Sequence, residues 1–274
     1  MINYHFHDEL SADAAGPLAL HCDAADGSCH SICVTNHAET LDGEHRWHAD
    51  PDEMVRRFQR SAEQVRVAAE HFPDLEIRLG VELEYRREWR ASFEHLLREV
   101  PFDFVLGSVH IVDGLNISGG REVDAFFLGR SQREAYEAYF REVDEMVDWG
   151  VFDVVAHFDL IKRYGHRHYG SFAPRGYRSI IEPILAKMAR RGIGIEINTS
   201  GVSQAPGVPY PEAEILEWAR HVGIDALTLG SDSHAPERFA QGIDRGIELA
   251  IDAGWEEFTL YEGRRRARRV TIAG

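Results

Sequence analysis

Long apolar runs are missing from this 274-residue sequence, and so is a basic start followed by an apolar stretch. A helix that crosses a bilayer needs about 20 consecutive apolar residues, and a signal peptide places positive charge before its apolar segment. The chain begins Met-Ile-Asn-Tyr-His and fits neither pattern. We therefore expect a cytoplasmic protein that has no membrane partner.

Positive charge is also scarce, because 30 lysines and arginines face 46 aspartates and glutamates, for a formal charge of −16. A surface of this sign repels a phosphate backbone, which argues against a long nucleic acid as partner. A small anionic substrate stays compatible with it, since bound cations reverse the field locally. The basic run at 264–269, with five arginines, is interpreted as a solvated face.

Cysteine is limited to Cys22, Cys29 and Cys33, which lie close together along the chain. Three thiols are an odd number for a disulfide framework, and no second cluster completes a zinc finger. The nucleophile motif G-x-S-x-G and the phosphate-binding motif G-x-x-x-x-G-K are missing too. Histidine, by contrast, is abundant with 15 residues, and its placement is informative.

Apolar, β-branched segments alternate with amphipathic segments along the whole chain. This alternation, with short connections and no linker, predicts a parallel sheet covered by helices in one domain, residues 1–274. Two longer loops, 39–51 and 111–130, are expected at the mouth of the site. The predicted strands are 2–5, 31–35, 76–82, 103–109, 152–156, 193–198 and 226–230, and the clearest helices are 52–71, 131–148, 177–191, 211–222 and 237–253.

Each of the seven predicted strands ends in a polar or metal-binding side chain. In a closed α/β barrel the carboxyl ends of the strands converge on one face, where such enzymes place their chemistry. Side chains two apart on an extended chain point the same way, so His5 pairs with His7 and Asp232 with His234. Imidazole and carboxylate together suit Zn²⁺, Mn²⁺ or Fe²⁺. The strand-end residues are His5, His7, His37, Glu82, Glu84, His110, His157, Glu196, Asn198, Asp232 and His234.

A structural role competes with this interpretation at every single position. One histidine at a strand end is more often a hydrogen-bonded structural residue than a ligand, but seven strands that repeat the pattern make that reading improbable for the set. For Glu84, Glu196 and Asn198, a role in supporting the ligands or the fold is at least as well favoured.

Taken in order, these motifs resemble the polymerase and histidinol phosphatase (PHP) superfamily, and within it the histidinol-phosphatase-like branch. The resemblance runs over nearly the whole chain, and it depends on the order and spacing of motifs that are each weak alone. The motifs are His5-Phe-His7 with Ser11-Ala-Asp13, Thr35-Asn-His37-Ala-Glu39, Gly80-Val-Glu82-Leu-Glu84-Tyr85, Gly107-Ser-Val-His110, the segment from His157 to Gly165, Glu196-Ile-Asn-Thr-Ser-Gly201 and Gly230-Ser-Asp-Ser-His234.

The resemblance implies a distorted (β/α)7 TIM-like barrel that holds two or three divalent ions, Zn, Mn or Fe. It also implies that Glu82 bridges two of them, a role that needs a carboxylate. Glu82, Asp232 and His234 are the candidate catalytic residues, and Asp232 would act as a general acid or purely as a ligand. The implied metal ligands are His5, His7, Asp13, His37, Glu82, His110, His157, Asp232 and His234.

The implied activity is hydrolysis of a small phosphorylated metabolite by a metal-activated hydroxide, with histidinol phosphate, and so histidine biosynthesis, the best single expectation. Arg163, Ser200 and Arg130 are the candidate substrate-binding residues, with Arg121 as a further cation in the long loop. One departure bears on the substrate. Members of this branch carry a basic residue that binds phosphate directly after the motif that stands here as Asn198-Thr199-Ser200-Gly201. This chain has no cation at that place.

Two other functions stay open. A phosphodiesterase or nucleotide phosphatase of the same superfamily would use the same metal site. A non-catalytic metal-binding protein belongs to a different class, and the full set of implied ligands argues against it.

Overall fold

A computed structural model of the chain describes residues 1–41, 47–120 and 122–272. Seven parallel strands form its centre, and all seven coincide with strands predicted from the sequence. Nearly every strand residue is buried, so the polar–apolar alternation of a half-exposed sheet is missing. The strands are β1 Ile2–Asn3, β2 Ser31–Val34, β3 Glu76–Glu84, β4 Phe104–Ser108, β5 Val154–Val155, β6 Gly194–Asn198 and β7 Leu227–Gly230.

The sheet runs from β1 to β7 in chain order, and the chain beyond β1 hydrogen-bonds to the end of β7. Tyr4 N donates to Leu229 O over 2.8 Å, and Asp232 N donates to His5 O over 2.7 Å. These bonds join the two edges, so the carboxyl ends of all seven strands open on one face. The expected seven-stranded α/β barrel is confirmed.

Helices surround the strands. Two of the longer helices show ordinary capping signals: Ser131 and Glu134 form a capping box, and Gly192 ends its helix at φ 69°. No helix in the described ranges is both long enough and apolar enough for a membrane crossing. The helices are α1 Leu18–Ala25, α2 Pro51–His71, α3 Arg90–Glu99, α4 Glu122–Phe127, α5 Gln132–Trp149, α6 Lys162–Tyr169, α7 Arg178–Arg191, α8 Ala213–His221 and α9 Ile243–Asp252.

The described parts of the two predicted long loops contain regular structure at the mouth of the barrel; residues 42–46 of the first loop lie outside the described residues. Thr40–Leu41 pairs with Trp47–His48, and Ile111–Val112 pairs with Leu115–Asn116. Helix α4 follows the second hairpin. The expectation of plain loops was therefore wrong in part, because two-residue strands and a six-residue helix are too short for a periodic sequence signal.

The arginine-rich run forms one strand of a C-terminal hairpin, Glu257–Glu262 with Arg265–Thr271. Several of its arginines bind carboxylates elsewhere: Arg266 lies 2.7 Å from Asp225, and Arg268 lies 2.8 Å from Glu76. The run is thus a partly exposed strand that ties the C-terminus to the barrel. Describing it only as a solvated face was incomplete.

Candidate metal centre

Glu82 lies at the centre of the strand-end face, completely buried. Its Oε2 atom lies 3.0 Å from His37 Nδ1 and 3.3 Å from His5 Nε2. Its Oε1 atom lies 3.1 Å from His157 Nε2 and 3.4 Å from His110 Nε2. The two oxygens of the Glu82 carboxylate therefore face two different pairs of imidazoles.

The first set of possible metal ligands lies where β1 meets β7. His7 Nε2 is 3.2 Å from Asp232 Oδ1 and 3.6 Å from Glu82 Oε2. His5 Nε2 is 3.6 Å from the same Asp232 oxygen. Two imidazoles and two carboxylates thus point their ligand atoms at one small volume.

The second set follows β4 and β5. His110 and His157 bring their Nε2 atoms within 3.4 Å of each other, next to Glu82 Oε1. Two facing imidazole nitrogens and a carboxylate oxygen form a second place where ligand atoms converge.

The third set lies nearer the solvent. Asp13 Oδ2 is 3.4 Å from His234 Nε2 and 3.7 Å from His37 Nε2. The ring of His7 stacks at 4.2 Å from that of His37, so this set adjoins the first. All nine predicted ligands are therefore gathered into one continuous cluster.

Local backbone geometry explains how two of these side chains reach the cluster. Asp232 has φ 53° and His157 has φ 27°, a left-handed region that non-glycine residues rarely enter. Gly230, at the end of β7, lets the neighbouring strand approach closely, since a Cβ atom there would stand 2.2 Å from His5 Cβ. The chain thus accepts strain where the ligands converge.

A layer of hydrogen bonds orients the ligands. Glu196 accepts from His5 Nδ1 over 2.7 Å and from His157 N over 2.9 Å. The Asn198 amide and the Ser200 hydroxyl donate to Asp232 Oδ2 over 3.2 and 3.3 Å. Glu196 and Asn198 thus contact ligands from outside the cluster, as supporting residues do.

The electrostatics of the cluster keep its carboxylates ionised. Burial alone would raise the pKa of Glu82, but the imidazoles of His37, His5 and His110 outweigh it and hold the pKa well below its usual range. Burial lowers the pKa of His7 and of His110 to about 3, so both imidazoles are neutral near pH 7. The neighbouring carboxylates, by contrast, outweigh burial and raise the pKa of His5, His37 and His234. Because metals bind neutral imidazole and ionised carboxylate, ions bound here would displace the protons of these three imidazoles.

The donor set fits divalent metal ions. Lone pairs of histidine and carboxylate converge at three neighbouring places. Among the described residues, the buried Nδ1 atom of His37 has no hydrogen-bond partner, although Glu82 Oε2 lies 3.0 Å from it. Burying several negative and neutral acceptors together is costly without a cation. Imidazole nitrogens mixed with carboxylate oxygens are typical ligands of borderline ions such as Zn²⁺.

A cavity of about 1110 Å³ opens over the cluster. Of the predicted substrate-binding residues, Arg163 and Ser200 line it. Arg130 is not among the described residues that line the cavity; its guanidinium stacks on Phe126 and lies 3.2 Å from Asp113 Oδ2. Arg121 lies outside the described residues.

The structure also identifies a cation that the sequence analysis missed. Arg238, on a short 3₁₀ helix Pro236–Arg238, lines the cavity and is exposed. It comes four residues after His234, so its position close behind the last ligand was the available signal. Buried Glu39 and Glu84 line the cavity as well.

Comparison with known proteins gives the same family as the motifs. The histidinol-phosphatase of Lactococcus lactis is 26% identical over 264 residues, which cover 96% of this chain and 94% of the relative. The probable histidinol-phosphatase of Deinococcus radiodurans is also 26% identical, over 93% and 95% of the two chains.

Solved structures show the same fold. The crystal structure of the Lactococcus lactis histidinol phosphate phosphatase, complexed with zinc, L-histidinol and phosphate, superposes with a TM-score of 0.82 at 23% identity, over 97% and 98% of the two chains. A Listeria monocytogenes structure described as a histidinol phosphatase gives a TM-score of 0.75 at 19% identity, over 89% and 99%. The PHP domain model matches residues 3–200, which is more than half of this chain. The chain therefore belongs to the PHP domain family.

Proposed function

We propose that this chain is a metal-dependent phosphomonoesterase that acts on a small phosphorylated metabolite. The observation that carries the proposal is the central position of Glu82, whose two oxygens face separate groups of imidazoles within 3.0–3.4 Å. The names of the curated relatives support a phosphatase, and the donor set supports divalent ions.

Three groups of side chains would hold the ions. His5, His7, Glu82 and Asp232 form the first, Glu82 with His110 and His157 the second, and Asp13 with His37 and His234 the third. We propose two or three ions, with zinc, manganese and iron all compatible with these ligands. Divalent ions bound there supply an activated water and offset the charge on phosphate oxygens.

The surrounding residues prepare the site for a phosphate ester. Hydrogen bonds from Asn198 and Ser200 hold the Asp232 carboxylate in place, so it can keep a fixed direction toward an ester oxygen. Arg163 lines the cavity with its guanidinium stacked on Tyr164, and no described carboxylate pairs with it. A planar guanidinium matches two phosphate oxygens, so we assign Arg163 to phosphate binding.

Arg238 supplies the second cation of this phosphate site. It follows β7, whereas Arg163 follows β5, so the two guanidinium groups flank the segment after β6. The resemblance to histidinol phosphatases implies a basic residue in that segment. We propose that Arg238 replaces that residue. Histidinol phosphate is the best single substrate candidate, since curated relatives from two organisms carry the corresponding name.

A substrate screen tests the proposal. Metal-free protein is reloaded separately with zinc, manganese and iron(II), then assayed for phosphate release from histidinol phosphate, other phosphomonoesters, phosphodiesters and nucleotides. We expect hydrolysis of phosphomonoesters to dominate and the Glu82→Gln variant to lose at least about 100-fold in activity. A preference for diesters would make the chain a phosphodiesterase, and hydrolysis of nothing by fully loaded protein would overturn the enzymatic assignment.

A further inference from the structure

Glu39 and Glu84 form a buried acidic pair beside the metal cluster. Each side chain is about 2% exposed. In the part of the chain that the structure describes, Glu39 Oε2 and Glu84 Oε1 have no hydrogen-bond partner. Among the described residues, one ion pair involves these two glutamates: Glu39 Oε1 lies 3.5 Å from His37 Nδ1. Buried carboxylate oxygens without partners are costly, so their persistence points to a ligand that they receive.

Both glutamates line the cavity that opens over the cluster. Glu39 follows β2 and Glu84 ends β3, so the pair occupies one side of the barrel mouth. Arg163 follows β5 and Arg238 follows β7, on the other side. The cavity is therefore acidic on one side and basic on the other, with the metal cluster between them.

We propose that Glu39 and Glu84 bind a cationic nitrogen in the alcohol part of the phosphomonoester. This inference rests on the proposed function, because it assumes that phosphate occupies the side with the arginines. The substrate class is then the amino-alcohol phosphates, of which histidinol phosphate is one. An ammonium group donates up to three hydrogen bonds, which suits two unpartnered carboxylate oxygens.

A further metal ion is the competing occupant, since Glu39, Glu84 and His110 could together hold one. His110 Nε2, however, already lies 3.4 Å from Glu82 Oε1 and 3.4 Å from His157 Nε2. That places its nitrogen in the second ligand set of the cluster. We therefore favour the ammonium group, and the experiment below separates the two occupants.

The test uses two matched, non-hydrolysable ligands, 3-aminopropylphosphonate and n-butylphosphonate, which differ by an ammonium in place of a methyl group. Their dissociation constants are measured by isothermal titration on the metal-loaded protein. One charge-assisted hydrogen-bonding group changes an equilibrium by about tenfold or more. We expect the amino ligand to bind at least about tenfold more tightly to the wild-type protein.

Glu39→Gln and Glu84→Gln keep the shape of each side chain and remove the carboxylate that would pair with an ammonium group. In each variant we expect the preference for the amino ligand to fall to roughly threefold or less, with unchanged metal content. The matched control is Glu122→Gln, an exposed glutamate on the cavity rim whose carboxylate accepts from Asn116 N. This control should keep the full preference, because it makes the same change in charge outside the pair.

The inference is overturned if the wild-type protein binds both ligands equally, or if both glutamine variants keep the full preference. Loss of a metal ion from Glu84→Gln would also overturn it, in favour of a metal site. Because the two phosphonates are not hydrolysed, their binding can be measured whether or not the protein has the proposed activity. Hydrolysis of phosphomonoesters without any ammonium preference would leave the function standing and remove the subsite.

Discussion

Replacing Glu82 with glutamine tests the centre of the site with the smallest change in shape. The side chain keeps its size, but one of the two oxygens becomes an amide nitrogen and the negative charge disappears. Four imidazole nitrogens lie within 3.0–3.4 Å of the native carboxylate. A neutral amide would bind two cations less well than a carboxylate, so both flanking ligand sets would lose a shared donor.

The size of the effect follows from burial. Glu82 is fully buried, and breaking a buried charged pair by removing one partner costs about 3–5 kcal/mol. At about 1.4 kcal/mol per tenfold, metal affinity should fall by roughly 10²- to 10⁴-fold. Phosphate release at saturating substrate should fall to a similar extent.

The assay combines elemental analysis after dialysis against a chelator with kcat for a phosphomonoester. Asp153→Asn is the matched control. Asp153 lies at the opposite end of the barrel, before β5, where it pairs with Arg264 over 3.0 Å. That variant should lose stability while metal content is preserved. If Glu82→Gln kept wild-type metal content and a kcat within about tenfold of the wild-type value, a bridging role would be refuted.

Two further predictions concern the metals and the phosphate. Chelation should lower the melting temperature by at least roughly 5–10 °C, because each ion at 100 times its Kd adds about 2.7 kcal/mol to the free energy of unfolding; an unchanged calorimetric transition would argue against bound ions. Arg163→Ala should raise KM for a phosphomonoester by about 10- to 100-fold at constant metal content, with a smaller rise for the exposed Arg238→Ala. Loss of metal from Arg163→Ala would contradict a role limited to phosphate.

The barrel and the convergence of its strand ends were predictable from the sequence. Each strand is a short apolar run that stops at a polar residue, and barrel geometry brings such stops to one face. The ligand atoms of His5, Glu82 and Asp232 meet for this reason, although they are far apart in the chain. Short elements such as α1, α4 and α6 give no comparable signal, since six to eight residues complete about two helical turns.

The acidic pair, the second cation and the partners of Arg130 were not predicted, because each depends on contacts between distant segments. The Glu39–Glu84 pair arises from the neighbouring positions of β2 and β3, and its burial is decided by the elements packed over them. Arg238 reaches the cavity because of how one short 3₁₀ helix lies after β7. Arg130, predicted to bind substrate, is engaged by Asp113 and Phe126. Side-chain partners of this kind are set by tertiary packing.

The most direct test of the account is the number and position of metal ions in protein purified without chelator. Elemental analysis gives the stoichiometry, and anomalous scattering from crystals gives the positions. We predict two or three divalent ions per chain, one of them beside His5, His7 and Asp232, with Glu82 shared between the first two sites. Fewer than two ions at good occupancy, with these side chains turned away from them, would contradict the account.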